Sequence, residues 1–171
     1  MTESTEVLIA GAGIGGLTAA LTLHAKGIRS TVIESARELR PLGVGINLLP
    51  HAVRELAELG LSDDLARLAA EPVAISFFDE TGRLTFSEPR GIAGGYAWPQ
   101  YSVHRGDLQM LLLSAVRDRL GSGAVRTGMG INGFDERDGH VTAHTAAGDL
   151  DARILIGADG LHSVVRAQLH P

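Results

Sequence analysis

The chain has 171 residues, of which 44% are hydrophobic and 20% are charged, and its formal net charge is −5. This composition is typical of a globular protein and excludes the disordered and collagen-like classes. Because the sequence contains no cysteine, it excludes a disulfide framework, an iron–sulfur cluster, a cysteine-ligated zinc site and a thiol nucleophile. The mild acidity, without any run of Lys or Arg, argues against a nucleic-acid partner.

The start of the chain, MTESTEVLIAGAG, gives no sign of a targeting or membrane segment. It has no basic stretch, and its apolar run ends at Gly11. We therefore expect neither a signal peptide nor a membrane-spanning helix. The cytoplasm is the expected compartment.

The first third of the chain predicts a βαβ unit followed by two helices. Val7–Ala10 and Ser30–Glu34 are short apolar runs typical of buried strands, and the segment between them has helical spacing up to Gly27. Two strands and a helix within about 30 residues predict parallel strands with a right-handed crossover.

Residues 40–47, RPLGVGIN, are predicted to be extended, and Pro50 is predicted to open a helix that ends before Gly60. Ser62 is expected to cap a second, short helix with acidic residues in its first turn. Pro72 is expected to end that helix.

The remaining residues alternate apolar runs with turns. They predict a hairpin over residues 73–87, a strand over Tyr101–His104, a helix over Arg105–Leu120, a hairpin turn at Asp138-Gly139, a buried strand over Asp151–Ile156 and a helix from Ser163. No repeat or linker divides the chain. We therefore predict one α/β domain over residues 1–171, with a parallel central sheet and an antiparallel β insertion.

Three glycines between the first strand and the first helix carry the most specific signal. Gly11 permits a tight turn, Gly13 lets a pyrophosphate approach the backbone, and Gly16 lets the helix pack on the strand. Glu34, roughly 20 residues further on, would accept hydrogen bonds from an adenosine ribose and would repel the 2′-phosphate of NADP. The pattern predicts a Rossmann-like FAD/NAD(P)-binding fold. It does not separate FAD from NAD, and a tight turn without a ligand remains the alternative.

A second strand-to-helix corner contains Asp159, Gly160 and Ser163. It follows a predicted buried strand, and open α/β sheets bind ligands at the carboxyl ends of their strands. The alternative is that Asp159 and Ser163 only form a turn and a helix cap.

Arg105 stands at the start of a predicted helix, where the helix dipole disfavours a cation. A phosphate or ribityl chain beside it would explain the position. The alternative is a surface arginine paired with Asp107 or Asp118. His140 and His144 share a face of the predicted hairpin but have no acidic pair near them in sequence, so no metal site is expected.

Five segments together resemble one enzyme family. They are VLIAGAGIGGLTAALTL, VIE, RPLGVGINLLPHAVRELAELGL, YSVHRGDLQMLL and LIGADGLHSVVR. Their order and spacing resemble the FAD-dependent aromatic hydroxylases, the single-component flavoprotein monooxygenases, and most of all their phenazine-modifying members. The resemblance covers essentially the whole chain.

The resemblance implies FAD as cofactor, NAD(P)H as reductant, and O₂ and a small aromatic compound as substrates. The implied FAD-binding residues are Gly11, Gly13, Ile14, Gly15 and Gly16 at the pyrophosphate, Glu34 and Ser35 at the adenosine ribose, Arg105 and Gln109 at the phosphate–ribityl region, Asp159 and Gly160 in a second fingerprint, and Arg40 and Gly45 near the flavin. In this family a flavin C4a-hydroperoxide hydroxylates an electron-rich ring, and the cofactor carries the chemistry. No catalytic acid or base is assigned.

The sequence departs from the family pattern in one respect. The third fingerprint, a Gly-Asp pair that contacts the ribityl chain, is not found in its usual context, because Gly106-Asp107 and Gly148-Asp149 stand elsewhere. The sheet that covers the substrate is also not found. We therefore expect this chain to be the N-terminal, FAD-binding portion of a hydroxylase. Taken alone, it is expected to bind FAD more weakly than an extended chain would and to show little hydroxylation. Another FAD-dependent oxidoreductase on the same scaffold, such as a reductase or an epoxidase, and a non-catalytic nucleotide-binding module remain alternatives.

Overall fold

A computed structural model describes residues 3–171, with only the backbone described at Glu3. Residues 1 and 2, part of the start for which no leader is expected, lie outside the described residues. The chain divides into two compact units, Met1–Arg40 with Gln109–Pro171, and Pro41–Leu108. The prediction of a single domain over residues 1–171 stays a prediction.

The described residues form ten strands and five α-helices. The strands are β1 (Glu3–Ala10), β2 (Ser30–Glu34), β3 (Gly45–Leu48), β4 (Ala74–Phe78), β5 (Leu84–Pro89), β6 (Tyr101–His104), β7 (Val125–Thr127), β8 (Ile131–Arg137), β9 (His140–Thr145) and β10 (Gly148–Gly157). The helices are α1 (Ile14–Ala25), α2 (Pro50–Glu58), α3 (Ser62–Leu68), α4 (Arg105–Leu120) and α5 (Val164–Leu169). Short 3₁₀ turns occupy Gly91–Gly94 and Ser122–Ala124.

The first unit is built on a six-stranded sheet of order β7-β2-β1-β10-β9-β8. The β7, β2, β1 and β10 strands run parallel, and β8 and β9 add an antiparallel extension beside β10. The predicted α/β class, with a parallel central sheet and an antiparallel insertion, is confirmed.

Local sequence explains the β1–α1–β2 unit. Val7–Ala10 are at most 2% exposed, because they run through the middle of the sheet. The α1 helix ends where Gly27 adopts a φ of +73°, and the Gly27 N–H donates to the carbonyl of His24. Glycine reaches this left-handed conformation without steric cost, so it ends the helix here.

The antiparallel extension also follows the sequence. Asp138 and Gly139 have φ values of +53° and +74°, which fits the tight hairpin turn predicted between β8 and β9. On the outer strand, the side-chain amide of Gln168 from α5 satisfies both backbone groups of Phe134. It accepts from the Phe134 N–H at 3.1 Å and donates to the Phe134 carbonyl at 2.6 Å.

The second unit contains two small antiparallel sheets. The first pairs β3 with β6, from Gly45 opposite His104 to Leu48 opposite Tyr101. The second is the predicted hairpin of β4 and β5, where the rings of Phe77 and Phe86 lie 6.1 Å apart.

Two predictions about α3 were wrong. Ser62 does not cap the helix: the capping position is Leu61, a residue only 2% exposed, whose carbonyl accepts from the Leu65 N–H. The helix ends at Leu68, before Pro72, because Ala70 exchanges two backbone hydrogen bonds with Ser102.

The strand predicted at Asp151–Ile156 is present as part of β10, but the prediction that it is buried was wrong. The strand begins at Gly148, three residues before the predicted Asp151, and Ile154 is 54% exposed. The antiparallel partner β9 pairs only as far as Ala152, so the second half of β10 has one covered edge.

Candidate functional site

A cleft of about 450 Å³ opens in the first unit where β1, β2 and β10 end. It is the place where a parallel sheet is expected to bind a ligand. The residues predicted for the site that line this cleft are Gly11, Gly13, Glu34, Ser35, Gln109, Asp159 and Gly160. The structure thus brings together predicted residues from four separate segments of the chain.

Close packing at the first turn requires glycine at two positions. Gly11 has a φ of +108°, and a Cβ there would lie 2.3 Å from the Ala158 carbonyl oxygen. A Cβ at Gly16 would lie 1.9 Å from the Gly11 carbonyl oxygen. A Cβ at Gly13, by contrast, would have no contact within 4 Å among the described residues, so the backbone there is open to a ligand.

The N-terminus of α1 has backbone donors without a side-chain partner. Gly13 is the capping residue, no side chain of the described residues caps the helix, and its first turn contains no acidic residue. The first amides of a helix have no partner within the helix, and the dipole makes this end positive. The start of α1 is therefore suited to an anion such as a phosphate.

Glu34 is fixed beside the same turn. Its Oε2 accepts from the Ala12 N–H at 2.9 Å, and its Oε1 accepts from the Ser35 hydroxyl at 3.0 Å and from the Ala36 N–H at 2.8 Å. An ionised carboxylate accepts about four hydrogen bonds. The three protein donors therefore orient Glu34 and leave it capacity for a ribose hydroxyl.

Gln109 holds the turn from the opposite side. Its side-chain Nε2 donates to the Ala12 carbonyl at 2.8 Å. Ala12 is thus bonded through its N–H to Glu34 and through its carbonyl to Gln109. These two bonds keep the turn in one conformation.

At the second corner, between β10 and α5, the carboxylate of Asp159 is hydrogen-bonded to the start of α5. Its carboxylate accepts from the Ser163 hydroxyl at 2.5 Å, from the Val164 N–H at 2.7 Å and from the Val165 N–H at 3.2 Å. Ser163 in turn accepts from the Arg166 N–H. The turn-and-cap interpretation of Asp159 and Ser163 therefore describes their side chains.

Hydrogen bonding determines the charge of Asp159. Burial raises the pKa of this carboxyl, but the hydrogen bonds from Ser163 and from backbone amides outweigh burial and hold the pKa below its ordinary value. The carboxylate is thus ionised at neutral pH. A role of Asp159 and Gly160 toward a cofactor stays a prediction.

Six other predicted residues do not line the cleft. Ile14, Gly15 and Gly16 lie in the first turn of α1, and the remaining three lie elsewhere. Arg40 does not line the cleft, and its guanidinium pairs with Glu38. Gly45 and Arg105 belong to the second unit.

Arg105 is an exposed residue, as its alternative interpretation expected. Asp107 Oδ1 lies 3.4 Å from His104 Nδ1, and Asp118 accepts from the Ser114 hydroxyl. A role of Arg105 toward a cofactor stays a prediction.

The sequence did not predict the loop after β7 as part of the cleft. Gly130 lines the cleft, and a Cβ on it would lie 3.0 Å from the Ser35 Cβ. The Met129 N–H donates to the Glu34 carbonyl at 2.7 Å, which holds this loop against the end of β2. Gly128 and Gly130 on either side of Met129 were the available signal.

His144 corrects one sequence argument. It lies between two carboxylates, with Nδ1 2.9 Å from Asp149 and Nε2 3.3 Å from Asp135. Both are acceptors, so only the doubly protonated ring donates to both. The hydrogen bond with Asp149 is the main cause of the raised pKa of His144. Within residues 3–171 there is still no group of three or more side chains that could hold a metal ion.

The glycine turn, the uncapped helix and the acidic residue at the end of β2 define a class, the Rossmann-like dinucleotide-binding α/β proteins. The FAD binding domain family matches residues 4–170. The chain therefore belongs to this family, and the resemblance to the FAD-dependent aromatic hydroxylases is confirmed.

Two relatives show the breadth of the similarity. Phenazine 1,6-dicarboxylic acid hydroxylase PhzS of Lysobacter antibioticus is 49% identical over 175 residues, which cover 98% of this chain and 43% of that protein. The 3-hydroxybenzoate 6-hydroxylase 1 of Aquipseudomonas alcaligenes is 35% identical over 167 residues, which cover 95% of this chain and 42% of that protein. The chain thus spans less than half the length of these relatives.

Solved structures of flavin-dependent monooxygenases have the same fold as this chain. The fold matches p-nitrophenol 4-monooxygenase PnpA from Pseudomonas putida DLL-E4 with a TM-score of 0.88 at 24% identity, over 98% of this chain and 44% of that one. Aklavinone-11 hydroxylase, solved with FAD and aklavinone, matches with a TM-score of 0.80 at 26% identity, over 99% of this chain and 35% of that one. Among residues 3–171, no helix has the length and apolar character needed to cross a bilayer.

Proposed function

We propose that this chain is the FAD-binding portion of an NAD(P)H-dependent flavoprotein monooxygenase that hydroxylates an aromatic or heteroaromatic ring. The observation that carries the proposal is the uncapped start of α1 at the edge of the cleft, with Glu34 fixed beside it. An anion at the helix start and a hydroxyl-bearing sugar beside the carboxylate are two features of the ADP half that FAD and NAD share, and the match to the FAD binding domain family favours FAD.

In this proposal the residues of the chain bind and orient the cofactor. The amides at the start of α1 hold the diphosphate, Glu34 accepts from the ribose, and the bonds to Ala12 keep the turn in its binding conformation. Bound FAD, once reduced, supplies the activation of O₂ for ring hydroxylation. The protein contributes position and a site from which water is excluded.

The relatives support the substrate class. Their names give a phenazine dicarboxylic acid, 3-hydroxybenzoate and 6-hydroxynicotinate as the compounds they act on. All three are planar aromatic carboxylic acids. We therefore propose a small aromatic compound and O₂ as substrates, NAD(P)H as reductant and the cytoplasm as compartment.

The first experiment is the absorption spectrum of the purified protein, followed by calorimetric titration with FAD. We expect saturable binding and a flavin spectrum in the visible range. A chain that binds no FAD at micromolar concentrations would contradict the proposal. NADP, titrated in parallel, should bind more weakly because Glu34 repels its 2′-phosphate.

A second experiment separates a hydroxylase from the alternatives. With FAD, NADH or NADPH, and an aromatic carboxylic acid, we expect O₂ consumption that the aromatic compound stimulates. For these 171 residues we expect hydrogen peroxide as the main product, because they span less than half the length of the related hydroxylases and would supply only part of an enclosure around the flavin. Flavin reduction without O₂ uptake indicates a reductase, and FAD binding without NAD(P)H oxidation indicates a binding module.

A further inference from the structure

The six-stranded sheet of the first unit ends with β7 on one side and with β8 on the other. The β7 strand has three residues, whereas β8 has seven, from Ile131 to Arg137. An end strand presents a row of backbone N–H and C=O groups to which another chain can pair, and a very short strand limits that pairing. The longer edge of β8 is therefore the one on which an additional strand would find most of its partners.

The side chain of Gln168 from α5 is bonded to the middle of this edge. In an antiparallel ladder, alternate residues direct both of their backbone groups away from the paired strand. Phe134 is such a residue, because its N–H donates to Gln168 Oε1 at 3.1 Å and its carbonyl accepts from Gln168 Nε2 at 2.6 Å. The side-chain amide thus makes the two hydrogen bonds that a residue of a neighbouring strand would make.

The edge of β8 at Phe134 lies at the protein surface. Both hydrogen bonds of Gln168 are exposed, and so is the Gln168 residue itself. The register of β8 with β9 shifts between Ile131 and Gly133, so the regular part of the strand begins at Gly133 and contains Phe134. This regular edge is therefore within reach of another molecule.

The sequence of β8 is compatible with pairing to a second copy of the same strand. In an antiparallel pair centred on Phe134, Gly133 of one copy is opposite Asp135 of the other. In the same pair, Asn132 is opposite Glu136. No like charges are then directly opposite each other, which would disfavour the pair. The pair is symmetric, and the outward groups of Phe134 are the ones that the two copies would exchange.

We propose that Gln168 closes the outer edge of β8 against pairing with a second copy of this chain. Its amide takes the place of the neighbouring strand, so the two backbone groups at the centre of the self-compatible segment are already bonded. Pairing between copies must break these bonds before it forms its own, which removes most of its net stabilisation. The inference concerns the edge of the sheet and does not depend on cofactor binding.

The test is the self-association of Gln168→Ala, measured by sedimentation equilibrium of the 171-residue chain over a range of concentrations. We expect its association constant to exceed that of the unsubstituted protein roughly tenfold or more, the scale of the backbone hydrogen bonds that become available. His170→Ala is the matched control, because it removes another exposed side chain at the end of α5 and should change nothing. Equal self-association of Gln168→Ala and the unsubstituted protein would overturn the inference.

A second substitution shows whether the association uses β8. The Glu136 N–H points outward like that of Phe134, because Glu136 is two residues further along the strand. Proline at this position removes an outward donor without breaking a bond to β9. In Gln168→Ala, we expect Glu136→Pro to return the association constant to within about twofold of the unsubstituted value. Association that persists in the double variant would belong to another surface, and the inference would fail.

Hydrogen exchange of the unsubstituted protein covers the case in which Gln168→Ala does not fold. The Phe134 N–H should exchange at least roughly tenfold more slowly than the outward N–H of Glu136 on the same strand. Equal exchange of the two amides would show that Gln168 does not hold this edge in solution, and it would also overturn the inference.

Discussion

Two strand-to-helix corners lie side by side at the end of the parallel sheet. They differ in whether side chains accept hydrogen bonds from the first backbone amides of the helix. The β1–α1 corner has glycine at the cap and no side chain of the described residues on the first amides of α1. The β10–α5 corner has Ser163 and Asp159, which together accept from three backbone N–H groups of α5. One corner leaves its amides for a ligand, and the other satisfies them internally.

The difference shows what distinguishes an anion site from a stable turn in this fold. Both corners follow neighbouring strands, and the Ala158 N–H even donates to the carbonyl of Ala10. A carboxylate that capped the first amides of α1 would repel a phosphate there, whereas at the second corner the Asp159 carboxylate stabilises the start of α5 by charge and hydrogen bonding. We therefore expect substitutions at the first corner to affect mainly binding, and those at the second to affect mainly stability.

The largest expected effect comes from Gly16→Ala. The new Cβ would overlap the Gly11 carbonyl oxygen, so the helix must move away from the turn. We expect loss of detectable FAD binding and a fall in the free energy of unfolding of about 1–3 kcal/mol or more. Gly15→Ala is the control for stability, because its Cβ would have no contact within 4 Å in the part of the chain that the structure describes. A well-folded Gly16→Ala protein with normal FAD affinity would refute the packing argument.

Glu34→Ala tests the binding side of the comparison. We expect FAD affinity to fall by about 1.5–3 kcal/mol, the scale of a hydrogen bond to a charged group. Part of the loss comes from the Ala12 N–H, which loses its acceptor. Glu34→Gln keeps the size and one acceptor oxygen and should lose less. Calorimetry that shows unchanged FAD affinity for Glu34→Ala would count against the site.

Asp159→Ala tests the stability side. We expect the free energy of unfolding to fall by about 1–2 kcal/mol at neutral pH, the scale of a helix cap. Because the folded-state pKa lies below the ordinary value of 3.8, this stabilisation is present above pH 3.8 and is lost as pH falls through the folded pKa. Urea unfolding at several pH values should show the two proteins converge in acid. Asp118→Asn, an exposed carboxylate on α4, is the control. A constant difference down to the lowest pH would contradict the assignment.

The smallest effect concerns His144, at the other end of β10 from both corners. Its raised pKa means that its ion pairs stabilise the fold below pH 6.5 and lose that effect as pH rises through the folded pKa. Histidine NMR titration should show the pKa of His144 fall toward 6.5 in Asp149→Asn. FAD affinity should not change with His144 titration. A coupled change in affinity would show that the corners are not independent of this end of the strand.

Local sequence was enough to predict much of the fold. The β1–α1–β2 unit, the β6 strand, the α4 helix and the Asp138-Gly139 turn depend on apolar spacing and on turn residues within a few positions. The errors came from distant contacts. The end of α3 depends on Ala70 pairing with Ser102. The exposure of Ile154 depends on what packs on its face of the sheet, which the sequence of the strand does not specify.

The candidate site likewise has a part that local sequence predicted and a part that it could not predict. The spacing of Gly11, Gly16 and Glu34 predicted the first corner, because close backbone approach leaves a signature of glycine. The second corner could not be resolved, since the choice between capping and ligand binding depends on the orientation of the Asp159 side chain. The contribution of Met129 was missed because it reaches Glu34 only through the pairing of β7 with β2.

The pairing of β1 with β10 also has a consequence for synthesis of the chain. Ala10 is opposite Gly157, so β1 leaves the ribosome about 150 residues before its partner, which at about 5–20 residues per second is a delay of roughly 7–30 s. During that delay the apolar strand has β2 as an available neighbour, and its other edge is open to other chains. Overexpressed protein should therefore aggregate through β1, and slower translation with available chaperones should increase the yield of folded protein.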